Sequence, residues 1–218
     1  MTEQKRMVGE PFSAELSSAE PSSTKARIAR LIRAVTVPPV LVCSLLLILF
    51  FCRRSLFSGV ASLVWSLVFL ALVPLSAYPL SAVLPGWRKK GREGQRNLAF
   101  VMNFAGYAAA LLYGLFTRSS AGRMLIYWTY FLSVAVLLIL NKIVRLRASG
   151  HACSIAGPLI LLCWFLGWVG VLPCLAVFGA VLWSSLALKR HTLRELLIGA
   201  LSAFAAFSLS LLMISFIG

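Results

Sequence analysis

Seven uninterrupted apolar runs decide what this chain can fold into. They lie at about 35–52, 56–84, 98–116, 124–144, 152–169, 172–188 and 196–217. A helix crossing the hydrocarbon core of a bilayer needs about 20 mostly apolar residues. In lipid, only helices and closed barrels satisfy every backbone N–H and C=O. The runs are continuous rather than alternating, which selects helices. The expected fold is therefore all-α, a polytopic transmembrane helix bundle. Seven spans is the direct count; six follows if an early segment is re-entrant or interfacial. Pro74, Pro79 and Pro85 predict a kink or early exit in the second run.

Composition points the same way. Of the 218 residues, 60% are hydrophobic and 12% charged, with a mean hydropathy of +0.91. A soluble domain carries about 25% charged residues. Residues 1–33 form a polar tail expected to be disordered and cytoplasmic, and its end, KARIARLIR, reads as a short amphipathic helix at the membrane surface. Residues 34–97 supply N-terminal membrane helices and a basic loop, WRKKGREGQRN. Residues 98–218 supply the core that carries the chemistry.

A net charge of +15 raises the question of nucleic acid. The cations sit in short clusters between apolar runs, as positive-inside loops do. No nucleic-acid partner is expected. With the N-terminus inside, seventeen Lys and Arg fall on the inner side. Four, Arg53, Arg54, Arg118 and Arg123, fall outside. Removing the five in the stretches RLRASGH and KRHTLRE together with Lys142 just ahead of the first leaves eleven against four, so both stretches are expected at the cytoplasmic face of an integral protein of the cell membrane. The five cysteines include no CxxC and read as small hydrophobes. Neither a metal nor another cofactor is implied. Nothing in the sequence fixes the oligomeric state.

Carboxylates are scarce. There is no Asp, and only Glu195 follows Glu93. The two histidines, His151 and His191, fall in those same two polar stretches. A bundle that brings the stretches together collects Lys142, Arg145, Arg147, His151, Lys189, Arg190, His191 and Glu195 in one basic pocket. Such a cluster calls for an anion, and lipid phosphate is the one available at that depth. His191 and Glu195 are spaced i, i+4 and share a helix face. A carboxylate on one imidazole nitrogen fixes the tautomer and frees the other nitrogen to attack. A second reading of Glu195 stands beside this one. Thr192 and Glu195 form a capping box for the last helix, and the two roles are compatible. Lys189 and Arg190 read equally as snorkelling anchors.

Ala148-Ser149-Gly150-His151 resembles the P-S-G-H motif of the type 2 phosphatidic acid phosphatase superfamily, the lipid phosphate phosphatases related to vanadium haloperoxidases. Ser184-Ser185, His191 and Glu195, with Gly199 beyond, resemble that family's S-R-x5-H-x3-D motif. The resemblance covers roughly residues 98–218. It implies a metal-independent lipid phosphatase acting on a polyprenyl or glycerolipid mono- or diphosphate. It implies His191 as the nucleophile that becomes phosphohistidine, and His151 as general acid. It also implies that Ser149 and the Gly150 amide bind phosphate oxygens, with Lys142, Arg145, Arg147, Lys189 and Arg190 neutralising charge. The family's K-x6-R-P motif is not matched, since Ser149 stands seven residues after Lys142; Ser185 replaces the third-motif arginine, and Glu195 stands for aspartate. A carrier or scaffold of the same fold that binds lipid phosphate without turnover is the alternative reading.

Overall fold

The computed structural model describes residues 23–217. The expectation for residues 1–22 of the tail lies outside the described residues. Within them the chain forms helices joined by short breaks, with no strand among the described residues. Helix α1 spans Ser23–Val35, α2 Pro38–Cys52, α3 Val60–Leu67, α4 Val73–Val83 and α5 Pro85–Arg88. Then follow α6 Gly91–Phe116, α7 Ala121–Leu138, α8 Gly150–Leu166, α9 Trp168–Ala187 and α10 Leu193–Ile217. The protein is an integral membrane, all-α polytopic bundle. Five helical stretches are long and apolar enough to cross a bilayer, and the bent pair α1–α2 makes six; α8, with 17 residues, is shorter.

Prolines and glycines set the breaks. Pro38 and Pro39 open α2, where a missing N–H costs nothing, and α2 leaves α1 at 53°. Between α3 and α4 the helix widens into a π turn at Val68–Leu72 without stopping, giving one 24-residue stretch, Val60–Val83. There the Val73 N–H reaches back to the Val68 carbonyl, one residue further than an α-helix requires. The widened turn lies just ahead of Pro74. At the other end Leu84, the residue before Pro85, turns extended and ends α4, as the steric demand of the proline ring requires. A second π turn, Ile139–Ile143, closes α7. Gly167, with φ of 62°, separates α8 from α9. Few residues other than glycine accept that conformation.

Contacts between the connecting turns mark the two ends of the bundle. At one end Arg53 Nε donates to the Phe165 carbonyl at 2.8 Å, and Ser120 Oγ donates to the Leu56 carbonyl at 2.9 Å. Arg123 from α7 faces Ser58 there. At the other end the two histidine-bearing stretches meet. The core lies between, built on Leu45, Leu46 and Leu49 of α2, Ile126 and Tyr127 of α7, and Ile155 and Leu161 of α8. Gly106 of α6 lets that helix close on the Phe69 carbonyl of the first π turn, where a Cβ would collide. α10 lies along α7 and α8, while α9 packs on α8 and on α1. Large apolar side chains such as Phe51, Phe116, Trp168 and Phe216 cover the outside. That is the surface a bilayer accepts and water does not.

Candidate functional site

The site is assembled from three chain breaks at one end of the bundle. The first follows α9. Lys189 takes a positive φ of 49°, and the Arg190 N–H donates to the Ser185 carbonyl at 3.1 Å. This turns the chain so that His191 precedes α10. Thr192 then caps α10: its Oγ1 accepts from the Glu195 N–H at 3.3 Å. Glu195 Oε2 accepts from the Thr192 N–H at 3.2 Å. The capping box is thus formed in full. The same carboxylate oxygen sits 3.3 Å from His191 Nδ1. The contacts that the two readings of Glu195 require are made by one side chain. With Nδ1 engaged by the carboxylate, Nε2 is the nitrogen left to act on a ligand.

The second break precedes α8. Asn141 holds it down. Its Oδ1 accepts from the Ala148 N–H at 3.1 Å, and its Nδ2 donates to the carbonyls of Leu137 at 3.0 Å and Ala148 at 3.3 Å. Ser149 is buried, and its Oγ accepts from the Ala152 N–H at 3.2 Å, capping α8. The first turn of α8 therefore keeps the Gly150 and His151 N–H groups free of helix bonds, the usual state of a helix start.

The two breaks are locked together. The Ser149 N–H donates to the Glu195 carbonyl at 2.9 Å. Gly199, one turn further along α10, leaves no room for a Cβ against the Ser149 carbonyl. His151 and His191, forty residues apart in the chain, are thereby brought within electrostatic reach of each other. His151 is the second residue of α8, at its site end, and is half-buried. Its Nε2 is buried and has no hydrogen-bond partner. Burial, then the charges of Arg33 and His191, push its pKa down from 6.5 to about 4. Near neutrality the ring is uncharged until an anion arrives to favour the proton.

The third break is the one between α1 and α2, and sequence reasoning did not connect it to the site. Arg33, near the end of α1, lines a cavity of about 360 Å³ together with His151, Gly150 and Arg96. Its Nη1 is buried and unpartnered, and the positive charge of Arg190 bears on it. The available signal was register. Arg33 follows Ala29 by four residues, and Ala29 is completely buried while Arg27 and Arg30 are exposed. An arginine on the buried face of an amphipathic helix is the exception to its pattern.

The other expected ligands are more peripheral. Lys142, Arg145 and Arg147 are exposed on the stretch leading to Ser149, and their side chains make no hydrogen bond or ion pair among the described residues. Lys189 and Arg190 are also exposed. Ser185, where the motif arginine is missing, is fully buried with its Oγ unpaired. The site thus gathers two imidazoles, one carboxylate bonded to one of them, and a surround of cations. That set can bind an oxyanion, attack it with an oriented imidazole nitrogen, and pass a proton through the second ring.

Comparison of the chain with protein-family models, with curated proteins and with solved structures gives no match.

Proposed function

We propose that this protein is an integral membrane lipid phosphatase. It hydrolyses a polyprenyl or glycerolipid mono- or diphosphate through a phosphohistidine, as a divergent relative of the type 2 phosphatidic acid phosphatases. The single observation that carries the reading is the Ser149–Glu195 junction, which brings His151 and His191 to the same end of the bundle beside a basic-rimmed cavity. In the reaction, His191 Nε2 attacks phosphorus and the bond to the lipid oxygen breaks. His151 gives its proton to the departing oxygen. Water then attacks the phosphohistidine, His151 takes a proton from it, and phosphate leaves with His191 restored. Glu195 holds the His191 tautomer and offsets the positive charge that grows on the ring. The reaction calls for no metal. By the charge distribution the site belongs to the cytoplasmic face of the cell membrane. A reporter fused to the C-terminus reads that placement directly, because α10 leads from the site to that end and the expected result is a reporter on the outer side.

The test is phosphate release by the purified chain from a panel of lipid phosphates in EDTA. Release by the wild type and none by His191→Ala is the expected result. Loss of release on adding EDTA, or an active His191→Ala, overturns the mechanism. The buried serine at 185 in place of the motif arginine favours one second reading, a lipid-phosphate carrier without turnover. Its signature is binding with no phosphate released.

A further inference from the structure

Among the described residues, the cavity at the site holds a cation without a counter-charge. Arg33 Nη1 is buried and has no acceptor among the described residues, and His151 Nε2 on the same cavity is likewise unbonded. Arg96 of α6 lines the cavity as well. Two glutamates fall among the described residues. Glu195 is committed to His191 and Thr192, and Glu93 makes no ion pair. A partly buried guanidinium that feels the positive charge of Arg190 and has no carboxylate partner among the described residues is costly until an anion joins it.

Away from the arginines the cavity wall is largely apolar, although Tyr107, Thr129, Tyr130 and Ser133 also line it. Val42 of α2, Leu70 of the first π turn, and Val134 and Leu137 of α7 line it. An inorganic anion would engage the arginine and leave this wall unused. A phosphate ester with a hydrocarbon chain satisfies both parts. Guanidinium matches phosphate with a planar pair of N–H donors, which lysine cannot offer.

We propose that Arg33 is a phosphate-binding residue of this site and that the apolar cavity beneath it takes the chain of the same molecule, so that α1 belongs to the binding machinery. The inference rests on the reading of this end of the bundle as a phosphate site. It adds a ligand from a helix far upstream of the histidines, and it commits the substrate to an amphiphile.

Calorimetric titration of the full-length protein in mild detergent tests it without turnover. The probes are methylphosphonate and decylphosphonate, whose P–C bonds are not hydrolysed, with decanol as the uncharged control. The wild type should bind decylphosphonate more tightly than either of the others. Arg33→Gln should weaken both phosphonates by roughly tenfold to a hundredfold, the range for a lost bond to a charged group. Arg33→Lys should fall between. Decylphosphonate affinity within twofold of wild type in Arg33→Gln removes the arginine from the site. Equal affinity for the two phosphonates removes the hydrocarbon from the cavity and identifies free phosphate as the ligand. If the glutamine variant does not fold, the lysine variant decides, and wild-type affinity there overturns the proposal. Arg33-dependent binding without phosphate release would defeat the phosphatase reading and leave this one standing. His191-dependent release with an unchanged KM in Arg33→Gln would do the reverse.

Discussion

The Ser149 N–H donates to the Glu195 carbonyl at 2.9 Å, and this one bond makes the turn that opens α8 and the first turn of α10 a single unit. The two histidines inherit their relative position from it. Their geometry is a matter of backbone packing, and it is exposed to any change that forces α8 and α10 apart.

Gly199 is the residue that permits the approach. A Cβ there would collide with the Ser149 carbonyl, and backbone on both sides cannot move aside as a flexible side chain would. Overpacking of this kind costs about 1–3 kcal/mol. Gly199→Ala should lower the unfolding midpoint in detergent and reduce phosphate release by roughly tenfold or more, since small misplacements of reacting groups are costly. Normal stability with normal release would mean that the helices do not pack this closely.

Glu195 carries two functions that substitution can separate. Glu195→Gln keeps an oxygen for the Thr192 N–H but removes the charge facing His191. Its release of phosphate should fall on the order of 10²–10⁴-fold, with the unfolding midpoint nearly kept. Glu195→Ala should lose release to the same extent. It should also lose about 1 kcal/mol of stability for the missing capping bond. Equal stability losses in the two variants would show that the charge, not the cap, holds the helix start.

Much of this was legible in the residues, and the line between legible and not is one of sequence distance. The apolar runs announce helices because lipid allows little else. The Thr192–Glu195 cap and the His191–Glu195 contact are local, so spacing of three and four residues reveals them. The meeting of Ser149 with Glu195 depends on how α8, α9 and α10 fold back on one another. No periodicity encodes that. Arg33 is more distant still, reaching the site because α1 packs along α9. Breaks were misjudged where one residue decides them. The fifth run reads as continuous to residue 169, yet Gly167 turns the chain and Trp168 already belongs to α9. In the second run the exit falls where Pro85 places it, at Leu84, while a π turn ahead of Pro74 carries the helix past Pro74 and Pro79.

His151 links stability to pH with a definite sign. Its pKa is about 4 in the folded protein and 6.5 ordinarily, burial being the main cause. Between these values the unfolded chain binds the proton and the folded chain does not. Stability therefore falls as pH drops from 6.5 towards 4 and changes no further from this group below that. The full span corresponds to about 3 kcal/mol. His151→Gln should flatten this part of the profile, leaving a smaller difference between the unfolding midpoints at pH 7 and pH 5 than in the wild type. An equal difference in both proteins would mean that His151 is solvated.

Asn141 should prove as necessary to the site as its more obvious residues, for a purely structural reason. Its amide takes the Ala148 N–H and gives to the carbonyls of Leu137 and Ala148, bridging the end of α7 to the residue before Ser149. Without it the N–H and C=O of Ala148 lose their side-chain partner, and each buried group left unsatisfied costs about 1–3 kcal/mol. The stretch 144–149 is otherwise tied by few bonds, so the loss concentrates there. Asn141→Ala should speed amide hydrogen exchange across 144–149 more than in the body of α8, and lower the unfolding midpoint. Because Ser149 then loses its fixed place against Glu195, phosphate release should fall although no group in contact with the ligand has changed. Exchange at 144–149 that matches the wild type would show that the Ser149–Glu195 bond and the α8 cap hold the stretch without help from Asn141.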